Sequence, residues 1–113
     1  SYREFLTGYE LLKSRGINIC VHIINGLPGE TKEMMLDTIR EAAVLHPHGI
    51  KIHLLHVLAE TPLAKSYLNG DFRTLELDEY VDIVCDQLEL LPADVVIARV
   101  TGDGGEASLI APL

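Results

Sequence analysis

Apolar residues follow two different patterns along the chain, one typical of helices and the other of buried strands. Helical spacing is seen where Phe5, Tyr9 and Leu12 recur at steps of four and three, and continuous apolar runs such as INICVHII are typical of strands buried on both faces. Pro and Gly residues fall between these segments, where they act as stops. The predicted elements are a helix at 3–15, a strand at 17–24, a helix at 31–45, a strand at 50–58, helices at 63–68 and 77–91, and a strand at 94–100.

Strands that alternate with helices of this length predict right-handed β-α-β units, and therefore an α/β fold with a parallel sheet. Three such strands would leave both edges of the sheet unpaired, which is unfavourable for a domain that stands alone. The chain also opens inside a predicted helix and closes on the apolar tail SLIAPL. We therefore expect residues 1–113 to be a single fragment of a longer protein.

Composition excludes several classes of function. The chain has 113 residues, of which 48% are hydrophobic and 23% charged, as in an ordinary globular domain. Its formal net charge of -8 argues against a nucleic-acid partner, which would need clustered Lys and Arg. No apolar run approaches the ~20 residues that span a membrane, and no signal-peptide pattern is present. We expect a cytoplasmic protein with no membrane partner.

The two cysteines, Cys20 and Cys85, lie far apart in the sequence. No C-x-x-C spacing is present, so the chain offers no usual ligand set for zinc or for an iron–sulfur cluster, and no metal-ligating residues are expected. Both cysteines have apolar neighbours. This predicts two buried thiols in a reducing compartment.

The stretch HIINGLPGETKEM joins the first predicted strand to the second predicted helix. A Walker phosphate loop would need Lys after its last Gly, whereas Glu30 stands here and would repel phosphate, and the dinucleotide pattern G-x-G-x-x-G is absent. Gly and Pro also form plain turns, and Thr31 is suited to cap the helix. Because the loop follows the carboxyl end of a strand, where open sheets and barrels bind ligands, it is also a candidate ligand site.

Two stretches taken together resemble a known family. HIINGLPGET, followed by a helix and then by a strand that runs into HVLAETPLAKSY, is similar to the later part of the barrel of radical S-adenosylmethionine (radical SAM) enzymes. Relatives in that family include oxygen-independent coproporphyrinogen oxidase, the methylthiotransferases and the Elongator catalytic subunit. The tail VVIARVTGDG…LIAPL resembles more closely a bacterial group of iron–sulfur oxidoreductases. The resemblance covers nearly the whole chain and implies about a third to a half of a TIM-like barrel.

The chain departs from the family pattern in three places. It lacks the C-x-x-x-C-x-x-C motif and the Gly-Gly-Glu motif of the family, and Ala59-Glu60 stands where relatives usually have Pro-Gly or Lys-Gly. In intact members a 4Fe-4S cluster binds S-adenosylmethionine and splits it to a 5′-deoxyadenosyl radical. The resemblance thus implies that the cluster-binding part belongs to the remainder of the parent chain. This fragment is expected to carry no catalytic residues and to bind no cofactor tightly by itself.

The resemblance also implies which residues would flank the cofactor. In the family, the loops after the fifth and sixth strands pack against the adenosine of S-adenosylmethionine. Carried over by position, the cofactor-binding residues are Ile24, Asn25, Gly26, Leu27, Pro28, His56, Val57 and Leu58.

Two other functions stay open at this point. The chain is also interpretable as a stand-alone α/β module that binds a small anion or nucleotide, or as an association domain that forms a homo-oligomer through its sheet edges.

Several polar residues interrupt the predicted strands. Strand alternation places His22 on the face expected to line the barrel, together with one of His53 and His56, either as hydrogen-bonded lining residues or as a metal-binding pair. Arg99 interrupts the third strand and is expected to have a carboxylate or phosphate partner, with Asp103 and Glu106 near in sequence.

Overall fold

Helices and strands alternate along the chain as the sequence pattern predicts. The computed structural model describes residues 1–100 and 109–112. The four helices in this part of the chain begin and end within one residue of their predicted bounds. No helix among the described residues is long and apolar enough to cross a membrane. The elements are α1 (Tyr2–Ser14), β1 (Cys20–Asn25), α2 (Lys32–Leu45), β2 (Gly49–Leu54), β3 (Val57–Leu58), α3 (Pro62–Leu68), α4 (Leu77–Leu90), β4 (Val96–Arg99) and β5 (Leu109–Ala111).

Three strands form a parallel sheet in the order β1-β2-β4. The register of β1 on β2 runs from Cys20 opposite Gly49 to Asn25 opposite Leu54. β4 pairs with the other side of β2, with a register shift after Ile50. This arrangement confirms the predicted α/β class with parallel β-α units, and it leaves β1 at one edge of the sheet.

Helices α2 and α4 cover one face of this sheet and make the core with it. Ile23 from β1 and Ile52 from β2 face the helices, and burial of an aliphatic side chain of this size contributes about 1.5–3 kcal/mol. The other face of β1, which carries His22 and Ile24, is exposed. The buried core residues of this cluster are Ile23, Ile39, Ala42, Ile50, Ile52, Tyr80, Val84 and Val95.

Helix α1 is held against the end of α2 by polar contacts. The hydroxyl of Tyr9 donates to the carbonyl of Leu45 at 2.7 Å, and the ammonium of Lys13 donates to the carbonyls of Leu45 and His46 at 2.7 and 3.3 Å. These carbonyls lie at the last turn of α2, where they lack partners within the helix and favour a positive charge. The contacts therefore place α1 beside the free edge of β1.

The strand predicted over 50–58 is wrong, because it divides into two strands that belong to different sheets. β2 ends at Leu54, and after a break β3 pairs antiparallel with β5. β5 was not predicted at all, since the partner that makes it a strand lies far away in sequence. The first strand begins at Cys20 rather than at position 17, and the third is shorter than predicted. Asp103 and Glu106, named above as neighbours of Arg99 in the sequence, lie outside the described residues.

The prediction that both cysteines are buried is also wrong, since Cys20 and Cys85 are exposed. Cys20 lies on the sheet face that the helices do not cover. Cys85 lies off the buried face of α4, which runs through Tyr80, Ile83, Val84 and Gln87 rather than through the exposed Val81. The apolar residues beside Cys85 in the sequence therefore do not indicate that Cys85 lies on the buried face of this helix.

The start of α4 is expected to make stability depend on pH. The guanidinium of Arg73 donates to both oxygens of Glu79 at 2.6 and 2.7 Å, and the N–H of Glu76 donates to the same carboxylate at 3.1 Å. These contacts lower the pKa of Glu79 from 4.5 to about 2. Because the folded pKa lies below the unfolded one, the stabilisation is present above about pH 4.5 and is lost as the pH falls towards 2.

The variant Glu79→Gln tests this expectation. Its midpoint of urea unfolding should lie below that of the wild type at neutral pH, and the difference should shrink on acidification to about pH 2. A difference between the two proteins that does not change with pH would contradict the assignment.

Candidate functional site

The two stretches singled out in the sequence meet where β1 and β2 end. Asn25 and Leu54, the last residues of these strands, are register partners. The N–H of Leu55 continues the ladder by donating to the carbonyl of Asn25 at 2.9 Å. The loop after β1 and residue His56 after β2 therefore lie at the same edge of the sheet, which is the carboxyl end where α/β folds bind ligands.

Two glycines give the loop after β1 its shape. Gly26 has a φ of +89° and Gly29 a φ of +77°, both in the left-handed region that favours glycine. The N–H of Glu30 donates to the carbonyl of Leu27 at 2.9 Å, which closes a turn between them. A Cβ atom at Gly26 would lie 3.2 Å from Cδ1 of Leu75, so this position is also crowded. The backbone path at Gly26 thus depends on the absence of a side chain.

The carboxylate of Glu30 accepts hydrogen bonds from the backbone of its own loop. Its Oε1 atom accepts the N–H of Gly26 at 3.2 Å and the N–H of Leu27 at 3.3 Å. Phosphate loops offer such consecutive N–H groups to the ligand. Here an acidic side chain of the chain itself occupies them, so the geometry does not support a phosphate loop, in agreement with the motif mismatch in the sequence.

Removing this carboxylate is expected to loosen the loop. In Glu30→Ala the amides of Gly26 and Leu27 should exchange about tenfold to a hundredfold faster with solvent, since a hydrogen bond to a charged group contributes about 1.5–3 kcal/mol. The change is measured by NMR hydrogen exchange. The N–H of Met34, which donates to the hydroxyl of Thr31 at 3.2 Å, is the internal control and should not change. Unchanged exchange at Gly26 and Leu27 would show that Glu30 does not hold the loop.

A buried amide pair fixes the end of β1. Asn25 and Gln87 are both 0% exposed. Nδ2 of Asn25 donates to Oε1 of Gln87, and Nε2 of Gln87 donates to Oδ1 of Asn25, each at 2.8 Å. Nε2 of Gln87 also donates to the carbonyl of Met35 in α2 at 3.1 Å. Sequence reasoning missed Gln87, although a glutamine one helical turn from the apolar Ile83 and Val84 was the available signal.

The eight residues implied as cofactor-binding divide into two groups. Asn25 and Val57 are 0% exposed, and Val57 packs against Ala64 and Ala111, so these two side chains are not accessible to a ligand. Gly26 is buried as well. The side chains that remain accessible to a ligand are those of Ile24, Leu27, Pro28, His56 and Leu58.

Below the strand ends, two histidines meet on the sheet face that the helices leave open. The ring centroids of His22 and His53 are 5.4 Å apart. His53 is therefore the histidine that shares this face with His22. Burial lowers the pKa of His53, and the neighbouring His22, Arg99, Lys51 and His56 lower it further. The residues that the structure describes contain no group of three or more His, Cys, Asp or Glu side chains placed to hold a metal ion.

Comparison with known proteins relates this geometry to a family. The family described as the Radical_SAM C-terminal domain matches residues 47–113. The uncharacterized protein YtqA of Bacillus subtilis is 46% identical over 109 residues, which is 96% of this chain and 34% of that protein. The uncharacterized protein MJ0486 of Methanocaldococcus jannaschii is 40% identical over 89 residues, which is 79% of this chain and 28% of that protein. The chain thus spans about a third of these relatives.

One solved structure shows the same fold. The Elp3 protein of Methanocaldococcus infernus with residues 1–46 deleted superposes with a TM-score of 0.83 at 23% sequence identity. The match covers 97% of this chain and 26% of that protein. The three-stranded parallel sheet with helices on one face is therefore consistent with part of a larger barrel.

Proposed function

Because the chain belongs to the Radical_SAM C-terminal domain family, we propose that it forms the later β-α units of a radical SAM barrel and supplies the adenosine-side wall of the S-adenosylmethionine site. The observation that carries this proposal is the juxtaposition of the Gly26–Glu30 loop with His56 at the carboxyl ends of β1 and β2. The whole enzyme includes a remainder of the parent chain that completes the barrel.

The residues at the strand ends suit an adenosine. Ile24 and Leu27 are 47% and 44% exposed, so each presents an apolar surface that an adenine ring would cover. Asn25 and Glu30 hold the backbone between them in one conformation through the Gln87 pair and the two N–H contacts. A wall that is ordered before binding loses little conformational entropy when the ligand arrives.

The residues of this chain do not fit the iron–sulfur cluster. Its two cysteines, Cys20 and Cys85, lie on β1 and on α4, so they supply no three-cysteine set. We assign the cluster to the remainder of the parent chain, where it would supply the electron needed for cleavage of S-adenosylmethionine. The role of the present residues is to bind and orient the adenosine. We further propose that the parent enzyme is an oxidoreductase of the reducing cytoplasm, because the tail of the chain resembles a group of iron–sulfur oxidoreductases.

The free edge of β1 is the proposed junction with the remainder of the parent chain. A groove runs along this edge between α1 and α2, and its lining includes the half-exposed Tyr2 and Phe5. Another parallel strand would cover the groove and satisfy the unpaired backbone groups of β1. The competing arrangement is self-association of the chain through the same edge. Light scattering on the intact protein distinguishes the two arrangements, because a monomeric protein excludes self-association.

The proposal is tested on the intact protein after anaerobic reconstitution of its cluster. S-adenosylmethionine binding is measured by calorimetry, and cleavage by chromatographic detection of 5′-deoxyadenosine. Leu27→Glu should weaken binding about tenfold or more, since it places a charge against the adenine face. Leu68→Glu, at a 70% exposed position on α3, is the matched control and should bind as the wild type does.

Three results would overturn the proposal. One is a parent sequence without a three-cysteine motif upstream of Ser1. Another is a reconstituted wild type that neither binds nor cleaves S-adenosylmethionine. The third is equal binding by Leu27→Glu and Leu68→Glu. Binding of ATP or phosphate in place of S-adenosylmethionine would favour the stand-alone binding module instead.

A further inference from the structure

A row of basic side chains crosses the open face of the parallel sheet. His22 of β1 is the register partner of Lys51 of β2, and Lys51 is in turn the partner of Arg99 of β4. Directly paired residues in a sheet point to the same face, so these three side chains stand side by side. His53 is the register partner of Ile24 and lies two residues beyond Lys51, nearer the end of β2. Its ring is close to that of His22. We call these four residues the basic row.

The charge of the basic row contrasts with the rest of the protein. The chain carries 17 acidic residues and a formal net charge of -8. Yet the groups that act electrostatically on His53 are His22, Arg99, Lys51 and His56, and each of them lowers its pKa. Within residues 1–100 and 109–112, the acidic residues with ion pairs contact Lys32, Arg40, His46 and Arg73, and not His22, Lys51 or His53.

Such a row costs stability in the absence of an anion. Like charges directly opposite each other on neighbouring strands are destabilising, and Lys51 and His53 are half-buried, which strengthens the repulsion. The side chain of Lys51 has no hydrogen bond or ion pair among the described residues, while Arg99 has a further interaction of its own. The preference of residues for strands does not explain Lys51, because β-branched and aromatic residues favour a strand more than Lys does.

We infer that the basic row binds an oxyanion, a carboxylate or phosphate group carried by the substrate of the parent enzyme, with Lys51 at its centre. The inference rests on the proposed function, because closure of the barrel is what makes this face a ligand-filled interior. His22 lies three residues before the end of β1, or about 10 Å along the strand. A substrate anchored there would lie beneath an adenosine bound at the Gly26 loop.

The carboxylate of S-adenosylmethionine is a second oxyanion that is able to reach this row, so the experiment must separate the two sources. Calorimetry on the reconstituted intact protein compares titrations with inorganic sulfate and pyrophosphate, with and without saturating S-adenosylmethionine. Lys51→Met is the test variant. Lys65→Met, which removes an exposed lysine of α3, is the control for net charge.

The expected result has two parts. Both anions bind wild type and Lys65→Met in the presence of S-adenosylmethionine, and they bind Lys51→Met about tenfold or more weakly. The affinity for S-adenosylmethionine stays the same in all three proteins.

A thermal measurement guards against a folding defect. Sulfate should raise the Tm of the wild type but not that of Lys51→Met, and without anions the variant should melt no lower than the wild type. Equal anion binding by wild type and Lys51→Met overturns the inference. So does a loss of S-adenosylmethionine affinity in Lys51→Met that leaves anion binding unchanged, since the row would then hold the cofactor carboxylate. A wild type that binds no S-adenosylmethionine sinks the proposed function instead.

Discussion

Replacing Gln87 with methionine is expected to lower the free energy of unfolding by about 2–3 kcal/mol, although the two side chains have nearly the same size. Gln87 makes three hydrogen bonds at a position that is 0% exposed. Methionine would keep the packing but leave both polar atoms of the Asn25 amide without a partner, in a place that water does not reach. The cost is the desolvation of that amide rather than the value of the lost bonds.

Urea denaturation measures the change in the free energy of unfolding, and a control variant and a double variant are compared with Gln87→Met. Asn18→Leu alters an exposed amide that precedes β1, so it should change stability by less than about 0.5 kcal/mol. The double variant Asn25→Leu/Gln87→Met removes both partners of the pair and should recover part of the loss, since two apolar side chains leave no buried side-chain amide without a partner. A single Gln87→Met variant as stable as Asn18→Leu would show that the pair is not what holds β1 to α4.

The same substitution connects stability to the proposed site. Asn25 is the last residue of β1, and Gly26 begins the loop that would face the adenosine. If the amide pair sets the position of Asn25, then Gln87→Met should also weaken binding of S-adenosylmethionine by the intact protein. Gln87 has no exposed surface, so it would act only as a positioning residue.

The sequence predicts the helices well because their signals are local. Thr31 caps α2 by accepting the N–H of Met34, as its place before the apolar stripe indicates. The alternation of β1 is predicted correctly too. Ile23 faces the helices and His22 the opposite side, since a period of two leaves only one face wholly apolar. These features depend on residues within a few positions of each other.

The parts that sequence reasoning missed depend on distant partners. Nothing in the run IKIHLLHVL marks the end of β2, because the break after Leu54 arises when Val57 pairs with Ala111 instead of extending the first sheet. The inner face of α4 includes Gln87, whose buried amide pairs with that of Asn25, 62 positions away. A glutamine in an apolar face looks unfavourable until its partner is known.

In the candidate site too, some features follow from the sequence and others are found only in the structure. The positions of Gly26 and His56 at strand ends follow from the order of the elements, which a sequence reveals. The role of Glu30 does not, since the pattern indicates only that an acid disfavours phosphate. Its contact with the N–H groups of Gly26 and Leu27 explains why the loop is ordered without a ligand.

Gly26→Ala is expected to weaken S-adenosylmethionine binding by the intact protein about tenfold or more, with a smaller loss of about 1–2 kcal/mol in the free energy of unfolding. The first cause is the backbone, because a φ of +89° is unfavourable for any residue with a Cβ atom. The second is the contact with Leu75, whose Cδ1 atom lies 3.2 Å from the point that the new Cβ atom would occupy and must move. Both effects shift the turn that carries the exposed Leu27.

Gly70→Ala separates these causes from general destabilisation. Gly70 has a φ of +81°, so alanine there meets the same backbone penalty, but a Cβ atom would have no neighbour within 4 Å. It follows α3, away from the loop. Calorimetry should therefore find wild-type S-adenosylmethionine affinity in Gly70→Ala despite a comparable loss of stability. Equal affinities in the two variants would contradict the placement of the adenosine at Gly26.

The double variant Gly26→Ala/Leu75→Ala resolves the remaining ambiguity. Truncation of Leu75 removes the atom that the new methyl group would meet while leaving the φ of residue 26 unchanged. Partial recovery of S-adenosylmethionine affinity would assign the lost part to displacement of the loop by Leu75. No recovery would assign the whole effect to the left-handed backbone, and the adenosine wall would then depend on the path of the main chain at Gly26 alone.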